Sequence, residues 1–478
     1  MKPRRAIGAP APVVRMPLSR RDHPALAQPR RPPPGIQSGA FRAVGLVDWV
    51  IVGLMLLAVT ATFTIPAALL TQLKIHYLTS GGNFYEKLHP TTYATFLAAF
   101  LLLMRHGHPV GEINRAFSEA KLLLVYLFGW LALLIQMFVL DRPFTVIIDT
   151  FLLPVVLALV IWRLSATQRK PLIWAIHLTI LLNVVLGYYE YFSGHRLIPL
   201  TLGSIVVFGE WRSSALLGHP LGASGVVGGY VLALILRPAL CPPLAVRLPL
   251  IAFCLASLMA FGGRTALVTV LAVIGVLALA EVFRLIRGKR IPLIEAIAIL
   301  CLLFIGVAGI FTAFDLGFFD KMLLRFSSDK GSALARIATF NLLSHFDWHE
   351  LVLGPDPMRV SALQTQLGLN YGIENFWVSC IVQFGAVHTA LMTIGLVCFF
   401  IEMLRRSTRA AWAMVLLIIM IAASSVSFSS KNIQLAQFVM LITLLLPREQ
   451  PRVIRAAQDP RTNRAAMDPP VGARSISI

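Results

Sequence analysis

Between residues 47 and 447 the chain alternates apolar stretches of roughly 17–25 residues with short polar connections. Stretches of that length are read as membrane-crossing helices, and they fall near 47–70, 88–104, 120–140, 144–162, 171–192, 214–236, 245–261, 265–283, 291–314, 376–402, 410–428 and 433–447. The pattern predicts an all-α polytopic membrane protein of about twelve transmembrane helices. One connection, 315–375, is long and hydrophilic and is expected to carry short helices. Within it, 332–346 alternates like an amphipathic helix lying at a membrane surface, with Asp329 and Ser332 as caps. Gly354-Pro355-Asp356-Pro357 then predicts a turn, and Glu374-Asn375 stands at the entry to the next span.

Composition agrees with this reading. Hydrophobic residues make up 57% of the 478 and charged residues 13%, with a mean hydropathy of +0.77, which a water-exposed surface of this size does not support. Residues 1–46 hold nine prolines and nine Lys or Arg with one Asp; such a segment buries no core and is expected to be a disordered cytoplasmic tail. Its charged region is too long for a secretory signal, so the first apolar run is retained as a helix. Residues 448–478 read as a second disordered cytoplasmic tail, leaving 47–447 as the membrane domain. The five cysteines, at scattered spacings in or beside apolar runs, suggest neither a zinc site nor a disulfide framework.

The net charge of +20 would suggest nucleic acid as partner in a soluble protein, but no basic helix or aromatic-interleaved basic platform stands outside the apolar runs. Sidedness accounts for most of it. With the N-terminal tail inside, the two tails carry 15 Lys and Arg and the five inner loops another 15, against 7 on the five short outer connections. Both termini are then cytoplasmic and 315–375 faces outward. Inner loops of about 7–15 residues leave no room for a nucleotide-binding domain, and no phosphate-binding Gly-rich loop, Asp-x-Asp pair or His-Glu-x-x-His helix is present. Any chemistry belongs to the outer face or the membrane, with no cofactor and no metal.

The informative charges are those that break the sidedness rule. Arg212 precedes His219-Pro220 and a Gly/Ser-rich helix start; Arg264 sits in the turn Gly262-Gly263-Arg264-Thr265; Arg336 lies on the helix in the long loop. The bland readings are a helix-start turn with a small-residue packing face, an arginine reaching lipid phosphate, and a helix-capping acid at Glu374. His345 and His349 read first as loop histidines. The sharper reading is a converged anion site, since arginine forks pair bidentately with phosphate oxygens. A membrane-borne anion that needs several arginines on the outer leaflet is a lipid diphosphate.

In order and spacing these residues resemble the O-antigen ligase and Wzy-type polysaccharide polymerase superfamily over roughly residues 200–400. The matching positions are Arg212 with Leu217-Gly218-His219-Pro220, then Gly263-Arg264-Thr265, Arg336, Gly354-Pro355 and Glu374-Asn375. Leu221 stands where that family has Asn after His-Pro, and Glu374 where its ligases have His before Asn, which looks more like the exopolysaccharide biosynthesis members. The resemblance implies a metal-independent, inverting glycosyltransferase in a bacterial inner membrane, using undecaprenyl-diphosphate-linked oligosaccharide at the periplasmic face. Arg212, Arg264 and Arg336 would hold the diphosphate, Glu374 or His345 would take the acceptor's proton, and His219, Pro220, Gly354 and Asn375 would support the motif. Implied partners are the glycan acceptor, membrane lipids, a flippase and a chain-length regulator, and no nucleic acid. Ligation of a finished glycan to a lipid A-core is the alternative within the family. A lipid-linked glycan transporter is the alternative of another class, for which Glu190, an acid near a span's outer end, would be the relevant group.

Overall fold

The computed structural model describes residues 45–448 apart from 80, 106, 203–204, 208–210, 237–241, 289, 291–292, 328–331, 370–371, 425–427 and 429. The two expected tails, apart from Gly45, Leu46 and Arg448, lie outside the described residues, as do Asp329 and the Ser332 side chain. Among the described residues the protein is helical, with one antiparallel ladder of two residues per strand, Thr201–Leu202 on Ile205–Val206. In chain order the helices are α1 Leu46–Thr64, α2 Ala67–Gln72, α3 Pro90–Met104, α4 Pro109–Glu119, α5 Leu122–Val139, α6 Thr145–Arg163, α7 Ala166–Ser193, α8 Pro220–Leu236, α9 Leu244–Phe261 and α10 Arg264–Ile286. They continue with α11 Leu293–Asp315, α12 Asp320–Ser327, α13 Ser332–Leu343, α14 Trp348–Leu353, α15 Pro357–Gln366, α16 Phe376–Phe384, α17 Ala386–Arg405, α18 Trp412–Ser424 and α19 Gln434–Leu445.

Among the described residues seven helices, α1, α5, α6, α7, α9, α10 and α17, are long and apolar enough to cross a membrane. They answer to seven of the twelve expected spans. The other five expected spans are helical as well, as α3, α8, α11, α18 and α19. Two expected spans are broken. The run 47–70 is interrupted at Pro66, which cannot continue the hydrogen-bond ladder of α1. The run 376–402 breaks at Gly385, whose φ of +84° separates α16 from α17.

Close approach of backbones organises the bundle. α5 and α17 cross where a methyl added to Gly129 would lie 2.9 Å from the Leu391 carbonyl oxygen, and one added to Gly395 would lie 3.0 Å from the Tyr126 Cα. α8 runs through the middle, with residues 223–234 all buried. Its Gly228 and Gly229 face Val270 of α10 and Met414 of α18, so the small-residue packing face read from the sequence is what these glycines provide. The 315–375 segment builds a second, smaller core: Leu342, Phe346, Val360, Leu369 and Ile373 pack on Val378 and Val382 of α16.

Candidate functional site

A small open cleft, with a cavity volume of about 50 Å³, lies where α8 and α10 begin and α18 ends; Leu221, Gly263, Arg264, Thr265, Arg336, Glu374, Ile421 and Ser424 are among its lining residues. Five parts of the chain that are separate in sequence meet there: Leu221, residues 262–266, Arg336, Glu374, and Ile421 with Ser424. Each is held for a local reason.

Arg264 is the first residue of α10, and Gly263 at the N-cap has no side chain with which to cap the first-turn amides. The helix therefore presents backbone N–H groups and the positive end of its dipole to the cleft beside the guanidinium. Gly262 makes the turn possible with φ +67°, a conformation that costs other residues ~1–2 kcal/mol. The Thr265 and Ser424 hydroxyls hydrogen-bond at 2.9 Å, tying α10 to the end of α18.

Arg212 does not line the cleft; it packs against Gly262, which does. A methyl on Gly262 would fall 2.7 Å from Arg212 Cγ and Cδ, so the glycine is what admits this side chain. The segment carrying it is pinned from both sides. Ser213 N–H donates to the Ala260 carbonyl at 3.0 Å and the Ser213 hydroxyl to the Gly187 carbonyl at 2.7 Å. Glu190 of α7 is buried and accepts the amides of Leu197, Ser214 and Ala215 at 3.0, 2.8 and 2.9 Å. Its carboxylate is thus an anchor for the 213–215 turn.

Arg336, on α13, meets Glu374 with Nε 3.6 Å from Oε2; the side chains are 47% and 25% exposed. The capping role considered for Glu374 belongs instead to Asn375, whose Oδ1 accepts the Val378 amide at 3.1 Å while its amide donates to the Ala423 carbonyl at 3.3 Å. Glu374 is left at the cleft, facing an arginine. Of the two residues expected as proton acceptor, Glu374 lines the cleft and His345 does not. His345 is exposed in the turn after α13, where its Nδ1 pairs with the Asn341 carbonyl at 2.8 Å.

The supporting residues divide. His219 stands before Pro220 at the start of α8, and its Nδ1 accepts the Leu221 amide at 3.3 Å. His89 before Pro90 does the same for Thr91 at 3.2 Å, so of the three described helices that a His-Pro pair opens, α3 and α8 carry the histidine as a cap and α4, after His108, does not. Gly354 is elsewhere. It packs on Gly385, where a methyl would fall 2.7 Å from the Gly354 nitrogen. Gln136 donates to the carbonyls of Leu353 and Phe384 at 2.9 and 2.7 Å, and Arg142 to those of Gln383 and Pro355. The Gly354-Pro355 turn is therefore a junction that holds the 315–375 segment to the α16–α17 break.

A second polar group escaped the sequence reading. Asp149, wholly buried in α6, accepts the Thr92 hydroxyl at 2.6 Å and the His89 amide at 3.1 Å. Lys431, from the connection between α18 and α19, reaches within 4.0 Å of that carboxylate and donates to the Tyr77 and Lys87 carbonyls. Burial pulls the Lys431 ammonium down to about 8, against the upward pull of Asp149. An acid inside an apolar run was the available signal. No protein-family model and no curated protein matches this chain.

Proposed function

We propose that this chain is a polysaccharide polymerase that transfers glycan from an undecaprenyl-diphosphate-linked oligosaccharide to the hydroxyl of a growing chain. What carries the reading is the cleft: Arg264 and Arg336, more than 70 residues apart in sequence, line it with Glu374, and Arg212 packs against the lining residue Gly262. Guanidinium forks and helix N-termini are groups that bind phosphate oxygens. In the reaction the acceptor oxygen bonds to the anomeric carbon as the bond from that carbon to the phosphate oxygen breaks. The electron pair leaves on the lipid diphosphate, whose growing charge the arginines stabilise. The acceptor's proton goes to Glu374. The excess of Lys and Arg in the tails and inner connections supports a bacterial inner-membrane location, with both termini cytoplasmic and the cleft facing the periplasm.

The test is transfer by the purified protein in nanodiscs, supplied with undecaprenyl-diphosphate-linked repeat unit. The expected product is a ladder of lengths, absent for Arg264→Gln at an unchanged amount of membrane-inserted protein. A wild-type ladder from that variant would overturn the reading. A single addition, made only when a lipid A-core acceptor is supplied, would assign ligation instead.

A further inference from the structure

Behind the apolar side of the cleft a polar group lies without a partner. Gln434, the first residue of α19, is 5% exposed, and its side-chain nitrogen is buried with no hydrogen-bond partner. Buried amide donors are almost always satisfied, because leaving one unmade costs far more than a typical hydrogen bond contributes.

Gln434 does not itself line the cleft, but residues next to it do. A methyl on Gly225 would fall 3.1 Å from Gln434 Nε2 and 2.8 Å from Ile421 Cδ1, and one on Gly222 would fall 3.9 Å from that nitrogen. The amide therefore lies over the first turns of α8, beside the cleft residue Ile421 and one position from the cleft residue Leu221. Glycine at 225 keeps that space open. The backbone beneath is fixed: Asn432 Oδ1 accepts the Gln434 amide N–H at 2.9 Å, Asn432 N–H meets Thr150 Oγ1 at 3.3 Å, and Lys431 is bound to the buried Asp149 group. A side chain on so rigid a support is pre-organised for a partner that the protein itself does not supply.

We infer that Gln434 hydrogen-bonds the glycan of the bound donor, its side-chain N–H donating to a sugar hydroxyl oxygen that enters between Leu221 and Ile421. The chemistry of the two sides divides the substrate. Arg264 and Arg336 match a charged diphosphate, whereas a neutral amide framed by apolar side chains matches an uncharged, polyhydroxylated group. The inference rests on the cleft being the donor site.

Gln434→Met keeps the length and removes the donor. Since the lost group has no partner in the protein, the melting temperature should be no lower than wild type, while the KM for the oligosaccharide-linked donor should rise about tenfold. Inhibition by undecaprenyl diphosphate without sugar should stay at its wild-type value. Gln434→Glu, which replaces the donor by an acceptor, should raise the same KM. A wild-type KM in both variants would overturn the inference, and a lowered melting temperature with wild-type KM would assign the amide to a buried water. Equal weakening of the sugar-free inhibitor would also overturn it, by moving the contact to the diphosphate. If Arg264→Gln is inactive and Gln434→Met kinetically normal, this inference alone falls; if Arg264→Gln turns over normally, the cleft reading falls and takes it along.

Discussion

Replacing Arg336 by Gln separates the function of the cleft from its stability, because the structure gives the two effects very different sizes. Two unit charges 3.6 Å apart attract by ~1 kcal/mol in bulk water. With the arginine 47% and the glutamate 25% exposed, solvent screening and side-chain ordering leave a net ~0–1 kcal/mol. Arg336→Gln should therefore melt within a few degrees of wild type. Held bidentately on a diphosphate, the same guanidinium makes two charge-assisted bonds of ~1.5–3 kcal/mol each. Losing both gives ~3–6 kcal/mol, or a fall in transfer rate of ~10²–10⁴-fold. Arg336→Lys keeps the charge without the fork and should fall between. Glu374→Gln should lose ~10²–10⁴-fold if the carboxylate takes the acceptor's proton. The assay is ladder formation in nanodiscs beside thermal unfolding of the same preparations. Refutation is a wild-type chain-length distribution from Arg336→Gln, or a loss of activity matched by collapse of the fold, since either makes Arg336–Glu374 only a surface ion pair.

The buried pair behaves in the opposite way. Asp149→Asn or Lys431→Met leaves the other group uncompensated and should each cost ~3–5 kcal/mol; the double variant should cost less than the sum, and strict additivity in unfolding measurements would show the groups to be independent. Because the Lys431 pKa is about 8 when folded and higher when unfolded, the folded state binds fewer protons between the two values. Stability should therefore rise with pH between about 8 and about 10.5, and melting curves of Lys431→Met should lack that rise. Gly385→Ala combines a φ of +84° with backbone contact to Val352–Gly354. It should release the 315–375 segment from the α16–α17 break, read as faster proteolysis there than in Arg264→Gln, and equal proteolysis would contradict the junction.

What the sequence made legible follows from what costs most in a membrane. Helices announce themselves because their backbone groups must bond internally and their side chains must be apolar, and 17–25-residue runs located the helical stretches. The broken spans were legible in part. Pro66 inside 47–70 is a direct stop signal, and 376–402, at 27 residues, would be about 40 Å of helix, longer than the ~30 Å hydrocarbon core. The arginines stood out because a charge against the sidedness rule needs a reason, and two of the three line one cleft. Arg142 and Arg196 also fall on connections expected to face outward, and the fold uses both on backbone carbonyls. Charge excess thus names candidates and geometry sorts them. Asp149 and Lys431 are 282 positions apart, so no local pattern could join them, although an acid in an apolar run is itself a warning. Gln434 left no trace at all. A neutral amide is inexpensive to place at a helix start, and composition cannot tell a satisfied one from an orphan. Only burial without a partner distinguishes it, and burial is a property of the fold that charge patterning along a chain does not report.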